Sequence, residues 1–305
     1  MIKINEARRK ELSTSNILIV GLTRNCAKSL ESEVQKINSA FVEAASIRWF
    51  VIESDSNDGT VNTLNKLCID ASFEFISLGN LQTKYPKRTD RIAECRNRYL
   101  EELKTNSKYN DIDYVVVADL DGVNSGLTAE AVSSCWHLDE DWDACFANQS
   151  EAYYDIWALR HKIWSPNDCW ENYKFLLDNG KSKFEARNAS VYSRMIKIKS
   201  NMKPIEVDSA FGGLGIYKKS ILLESKYVGL NAKKEEFCEH VSFHSILREK
   251  GFKLFIVPSL INCGWNTHNR GLKLRNKIKS ILRHSIIVLV TLLVPKESLK
   301  KILRR

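Results

Sequence analysis

The sequence predicts an α/β protein with a mostly parallel central sheet, helices on both faces and a basic, amphipathic C-terminal tail. Two patterns predict it. Apolar strand-like runs alternate with helical stripes from Ile17 to Ala118, and the positive charge gathers after Arg270. Ile17–Leu22 (ILIVGL) is a continuous apolar run, the mark of a strand buried on both faces. Leu30, Val34, Ile37 and Phe41 then recur at helical spacing between Ala27 and Val42. Ile47–Ile52 reads as a strand closed by the turn-rich Ser54–Gly59, Val61–Ala71 as helix and Phe73–Leu78 as strand. Arg88–Leu103 is helical, with Ile92, Cys95, Tyr99 and Leu103 on one face, and Asp113–Ala118 is the clearest strand. This βα alternation points to parallel pairing, and ligands bind such sheets at the carboxyl ends of the strands. Beyond residue 125 the order loosens. Aromatics are dense from Trp136 to Tyr192, and further strands are expected near Asp143–Ala147, Ala210–Tyr217 and Lys253–Val257.

A chain of 305 residues, 44% hydrophobic and 27% charged, buries a large core unaided. That composition excludes disordered, collagen-like and polytopic membrane classes. The net charge of +9 comes from the tail, where eleven Lys or Arg face only Glu297. The remainder holds 35 basic and 36 acidic residues, which argues against nucleic acid as a partner. Eight scattered cysteines without C-x-x-C spacing fit reduced, buried thiols and a cytoplasmic setting, and the polar N-terminus lacks the apolar core of a secretion signal. The expected organisation is a polar arm (1–14), one α/β domain (15–270) and a basic, apolar tail (271–305).

Asp119-Leu120-Asp121 follows a strand of three valines and precedes Gly122. Alternation turns both carboxylates the same way, and two hard oxygen donors at a strand end suit Mn²⁺ or Mg²⁺ bound jointly with a phosphate. A solvated acidic turn would show the same triplet. Glu53 ends the second strand, and its chemistry suits base N–H groups or ribose hydroxyls. Asp58-Gly59-Thr60 opens the next helix, where Asp58 serves equally as a cap or a ligand contact. Arg96 lies beside the apolar stripe of its helix, so its guanidinium, like that of Arg91, needs a phosphate, a metal-site partner or a core carboxylate. Tyr154, Asp155 and Trp157 interleave aromatic faces with a carboxylate, a set suited to sugar, although aromatics at this spacing also serve as core.

The stretches Trp49–Thr60 and Val115–Asp121 together resemble the nucleotide-sugar-binding half of GT-A-fold glycosyltransferases, including family-2-like bacterial enzymes. Arg88–Asn97, with its R-I-A-x-x-R-N pattern, and Tyr153–Arg160, with Y-D-x-W-x-x-R, resemble the fungal capsule-associated α-1,3-mannosyltransferases; the first is also similar to the Golgi mannan-polymerase type. The resemblance spans roughly residues 15 to 268 and rests on the order of short motifs. It implies a metal at Asp119 and Asp121 with His268 as a further ligand, and donor contacts from Glu53, Asp58, Arg91, Arg96 and Asp119. Tyr154, Asp155, Trp157 and the close-approach glycines Gly212 and Gly213 would line the sugar and acceptor side. Glu239 stands where related transferases carry an acidic pair, so it and Asp121 are the expected catalytic groups; His240 replaces the second acid.

The implied activity is metal-dependent transfer of a sugar, mannose by the fungal likeness, from a GDP- or UDP-sugar to a hydroxyl of a glycan or lipid-linked acceptor, in surface polysaccharide or glycoconjugate synthesis. Ser285–Val294 is apolar, too short to span a bilayer and flanked by cations, so the tail is expected to lie on an anionic membrane and make the protein peripheral. Two other readings share these features. One is a sugar-phosphate nucleotidyltransferase, although Gly21 is alone where that class wants a Gly-rich loop. The other is a non-catalytic, membrane-bound scaffold with a vestigial site.

Overall fold

The computed structural model describes residues 10–266, Asn269, Gly271 and Leu272. The α/β class and the mostly parallel sheet are as expected. Eight strands line up in the order β3-β2-β1-β4-β7-β5-β8-β6. They are β1 (Asn16–Thr23), β2 (Ser46–Glu53), β3 (Phe73–Ser77), β4 (Tyr114–Asp119), β5 (Ala144–Gln149), β6 (Ile205–Glu206), β7 (Leu214–Lys218) and β8 (Leu254–Cys263). β7, wedged between β4 and β5, and the edge strand β6 run antiparallel to their neighbours. The helices are α1 (Leu30–Ala40), α2 (Thr60–Leu67), α3 (Arg88–Thr105), α4 (Ala129–Ser133), α5 (Cys169–Asp178), α6 (Lys183–Ser190), α7 (Lys219–Leu222) and α8 (Glu239–Glu249).

Strand alternation divides the core. Ile17, Ile19, Trp49, Val51 and Val116 pack with Leu30, Val34 and Ile37 of α1 on one face. Their neighbours Leu18, Val20, Phe50, Ile52, Val115 and Val117 are equally buried and turn to the opposite face, where α3 packs on β1 and β2. β1, β2 and β4 are therefore shielded on both sides, which is why their runs read as continuously apolar.

Two expected strands differ in extent. The Ala210–Tyr217 strand begins only at Leu214, because Gly212 and Gly213 adopt φ values of +69° and +89° and turn the chain. The last strand continues past Val257 to Cys263. It absorbs Pro258 through a register shift against β5 between Phe146 and Asn148, where a residue without an N–H does no harm. All eight cysteines are free, and all but Cys68 are buried. The described residues up to Gly264 form one compact unit, and those from Trp265 onward belong to a second. The tail expected to meet a membrane, Gly271–Arg305, lies almost wholly outside the described residues. Among the described residues no helix is long and apolar enough to cross a membrane.

Candidate active site

The carboxylate pair sits where β4 leaves the sheet. Leu120 is buried and drops against Gly21, where a Cβ on the glycine would come within 2.6 Å of the leucine Cδ1. With Leu120 anchored inward, the flanking Asp119 and Asp121 are left outward; the Asp119 side chain keeps 41% of its surface open and Asp121 is exposed. The Asp119 backbone is fixed from both sides: its N–H donates to the Gly213 carbonyl at 2.9 Å, and Asn124 Nδ2 donates to its carbonyl at 2.8 Å. The Asp119 carboxyl is raised by the protein that crowds its closed side, with Arg96 opposing and the charges of Asp121, Asp155 and Glu239 adding to the rise.

Arg96, buried on α3, ties this rim to α8. Its Nε donates to Glu239 Oε1 at 3.1 Å, and its Nη2 lies 3.6 Å from Asp119 Oδ1. The guanidinium rests on the rings of Phe211 and Tyr227, while Nη1 has no hydrogen-bond partner among the described residues. Arg96 thus meets two carboxylates, the partner its position beside the apolar stripe required. His240 is stacked on Phe211 at 3.9 Å between centroids, and burial drives its pKa well below the usual histidine range. It is a neutral, packed ring.

The residues expected to meet the nucleoside largely hold their own loops. Glu53 accepts from Ser56 N–H at 3.0 Å and from the Ser77 hydroxyl. Asp58 accepts from the Thr60 N–H and hydroxyl, at 3.0 and 2.6 Å, and from Ala27 N–H at 3.2 Å, tying the β1–α1 loop to the start of α2. Arg91 donates to the carbonyls of Tyr85 and Pro86 at 2.7 and 2.9 Å, pinning the loop before α3. Two residues not singled out in the sequence remain with unused polar atoms. Asp55, at φ +59°, has a buried Oδ2 with no hydrogen bond, 3.8 Å from Arg91 Nε; Thr23 Oγ1 at the end of β1 is likewise buried and unpaired among the described residues. Their signal was position alone, a polar residue at or just after each strand end.

On the other side of β4, Asp155 Oδ2 accepts from Gly212 N–H at 3.0 Å. Trp157 is held structurally: its Nε1 donates to Asp168 Oδ2 at 3.1 Å, and Arg160 reaches the same oxygen at 2.7 Å. On the side where a Cβ would stand, Gly212 and Gly213 are packed against the protein itself. A Cβ would meet the Ala147 carbonyl at 2.7 Å from Gly212, and the Tyr154 hydroxyl and Val123 at 2.8 Å from Gly213. The space belongs to the protein's own packing. Beneath them lies a network sequence reading did not find, Asn262 Nδ2 donating to Asn124 Oδ1 and the Gly212 carbonyl, with Gln149 Nε2 donating to the same carbonyl. Amides at the ends of apolar strands were its only trace.

Among the described residues no group of three or more His, Cys, Asp or Glu could by itself hold a metal ion. His268 lies outside the described residues. Asp119 and Asp121 nevertheless fit a divalent cation chemically: they are hard oxygen donors on an open rim where carboxylates outnumber the single guanidinium of Arg96. Such an ion keeps positions for ligand phosphate oxygens and water.

No family model matches the chain, and no curated protein matches it. Solved structures similar to it include the mannosyltransferase PcManGT from Pyrobaculum calidifontis in complex with GDP-Man and Mn²⁺, at 12% identity and a TM-score of 0.44, covering 82% of this chain and 56% of that one. S. aureus TarS 1-349 in complex with UDP-GlcNAc is similar at 11% identity and a TM-score of 0.48, covering 82% and 59%. A mycobacterial protein is similar at 13% identity and a TM-score of 0.40, covering 82% and 66%. The chain therefore spans less than two thirds of the length of each of these three structures.

Proposed function

We propose that this chain is a GT-A-type glycosyltransferase that moves a sugar from a nucleotide-sugar donor to a hydroxyl acceptor. The observation that carries this reading is the carboxylate-rich rim at the end of β4, where Asp119 is surrounded by the charges of Asp121, Asp155 and Glu239. A site with that surplus calls for a cation, and the end of a parallel strand is where such sheets receive a ligand. Asp119 and Asp121 would hold Mn²⁺ or Mg²⁺. The ion, when bound, neutralises charge developing on the departing nucleoside diphosphate.

The chain's own groups do the rest. Arg96 adds a fixed positive charge beside Asp119 and pairs with Glu239 in a buried place. Glu239 orients the acceptor hydroxyl or takes its proton, and Tyr154 and Asp155 stand on the acceptor side. Glu53, Asp58 and Arg91 shape the loops on the nucleoside side, over the buried polar atoms of Asp55 and Thr23. The motif likeness supports mannose, with a GDP- or UDP-sugar as donor and a glycan or lipid-linked acceptor in surface polysaccharide or glycoconjugate synthesis.

The test is a donor-hydrolysis screen over GDP-, UDP- and dTDP-sugars with and without Mn²⁺, repeated for Asp121→Ala. Metal-dependent release of nucleoside diphosphate that disappears in the folded variant is the expected result. Pyrophosphate as product would point instead to nucleotidyl transfer, and no binding of any donor to a scaffold.

A further inference from the structure

The α5–α6 hairpin carries a surface that the transfer chemistry leaves unused. Eight large hydrophobic side chains are exposed among the described residues, and five fall between Ile163 and Met202. Phe175 on α5 and Phe184 on α6 are 62% and 73% open. Single exposed apolar residues are ordinary, but this clustering is not. The same region is cationic. From Ile163 to Lys203 there are eight Lys or Arg against four acidic residues, Asp168, Glu171, Asp178 and Glu185, and the surplus lies after Asp178, in a body (residues 1–269) that otherwise has no positive surplus.

The kind of positive charge identifies the partner. The arginines are occupied: Arg187 lies over the Trp170 and Tyr192 rings, and Arg194 donates to Ser165 and Asn167. Most of the exposed cations are lysines, and the acids Glu171, Asp178 and Glu185 are exposed on the same hairpin. Lys174 and Lys197 make only long pairs with Glu235 and Glu151, at 3.9 and 3.6 Å, and Lys181, Lys183, Lys199 and Lys203 are exposed without an ion pair among the described residues. Flexible point charges around exposed aromatic rings suit a diffuse negative field with an apolar layer beneath it, more than a partner needing forked, directional contacts.

We infer that the α5–α6 hairpin docks on the anionic surface of a lipid bilayer, with Phe175 and Phe184 entering the headgroup boundary and the lysines pairing with lipid charge. Asp168 makes the hairpin continuous with the acceptor-side stretch: it caps α5 through Trp170 and Glu171 N–H, and its other oxygen holds Trp157 and Arg160. Docking would thus bring Tyr153–Arg160 to the membrane, where a lipid-linked acceptor is presented. Only that last consequence rests on the transfer reading.

The test is co-sedimentation of the full chain with vesicles of phosphatidylcholine alone and of an equal mixture with phosphatidylglycerol. Wild type is compared with Phe175→Ser/Phe184→Ser and with Lys181→Ser/Lys183→Ser, each confirmed as folded by circular dichroism. The tail is present in every sample, so its contribution cancels. Expected are binding to the anionic vesicles only, a loss of about tenfold or more in the phenylalanine variant, and a smaller, salt-sensitive loss in the lysine variant. Equal binding by wild type and the phenylalanine variant overturns the proposal, as does equal binding to neutral vesicles. Light scattering showing that the phenylalanine variant has lost self-association while its vesicle binding is unchanged would overturn it in favour of a contact between copies.

Discussion

Arg96 Nε stands 3.1 Å from Glu239 Oε1, a buried ion pair that bolts the middle of α3 to the first residue of α8. Removing one partner of such a pair strands the other charge, which costs about 3–5 kcal/mol. Arg96→Ala should therefore lower the urea midpoint severely, and Glu239→Gln less so, because it removes the charge and keeps a polar group. Arg96→Met/Glu239→Met should recover much of the loss while leaving transfer inactive. Unfolding curves on the three variants check it, and an Arg96→Ala midpoint equal to wild type would show that the pair is not formed.

Asp119 and Asp121 should separate function from stability. Their side chains are open enough to lose a charge without disturbing the core. Asp119→Asn and Asp121→Asn should each reduce donor turnover by on the order of 10²-fold or more, with melting temperatures near or above wild type, since each relieves repulsion on the rim. Thermal shift in Mn²⁺ with nucleoside diphosphate is the second readout: the wild type should be stabilised and both variants should not.

The strand-helix order and the rim of carboxylates could be read from sequence because they are local, periodic properties. The neighbours of Arg96 could be read in part, since a guanidinium beside an apolar stripe must meet an anion. Arg91, five residues earlier, obeys the same rule but satisfies it with the carbonyls of Tyr85 and Pro86, and no spacing reveals the path of that loop. Trp157 finds Asp168 eleven residues away for the same reason. Helices α5 and α6 gave no expectation at all: only Cys169 is buried on α5, so no inward stripe exists to be read. β8 runs past the expected Lys253–Val257 stretch through Pro258, and the irregular pairing that admits the proline depends on β5, which the spacing of apolar residues does not reveal.

Gly213 is a steric prediction. Its φ is +89°, and an added Cβ would stand 2.8 Å from both the Tyr154 hydroxyl and Val123. The two penalties, a left-handed backbone and overpacking, together cost about 2–4 kcal/mol in Gly213→Ala. Because the Gly213 carbonyl also accepts from Asp119 N–H, any relaxation moves the carboxylate. The variant should lose Mn²⁺-dependent stabilisation beyond its loss of intrinsic stability, and Tyr154→Phe/Gly213→Ala should regain part of the latter. Calorimetry with and without the ion measures both.

His244 sets the acid limit of the fold. Its ring is fully buried, sharing hydrogen bonds with the Ser209 hydroxyl at 2.9 Å and the Tyr217 hydroxyl at 2.8 Å, and burial with the charge of Arg96 lowers its pKa to about 3. In the unfolded chain the ring titrates near its ordinary value of 6.5. Between those two values the unfolded state binds a proton that the folded state refuses, so stability rises with pH there. The contribution is whole above about 6.5 and falls by up to about 1.4 kcal/mol for each pH unit below it. His240, also driven downward by burial, adds in the same direction. Urea midpoints measured from pH 7 to pH 5 should fall steeply in the wild type. In His244→Gln the midpoint should start lower and fall less, because the amide keeps a hydrogen bond and has no proton to take up. A wild-type midpoint that held constant across that interval would show that these rings are open to solvent.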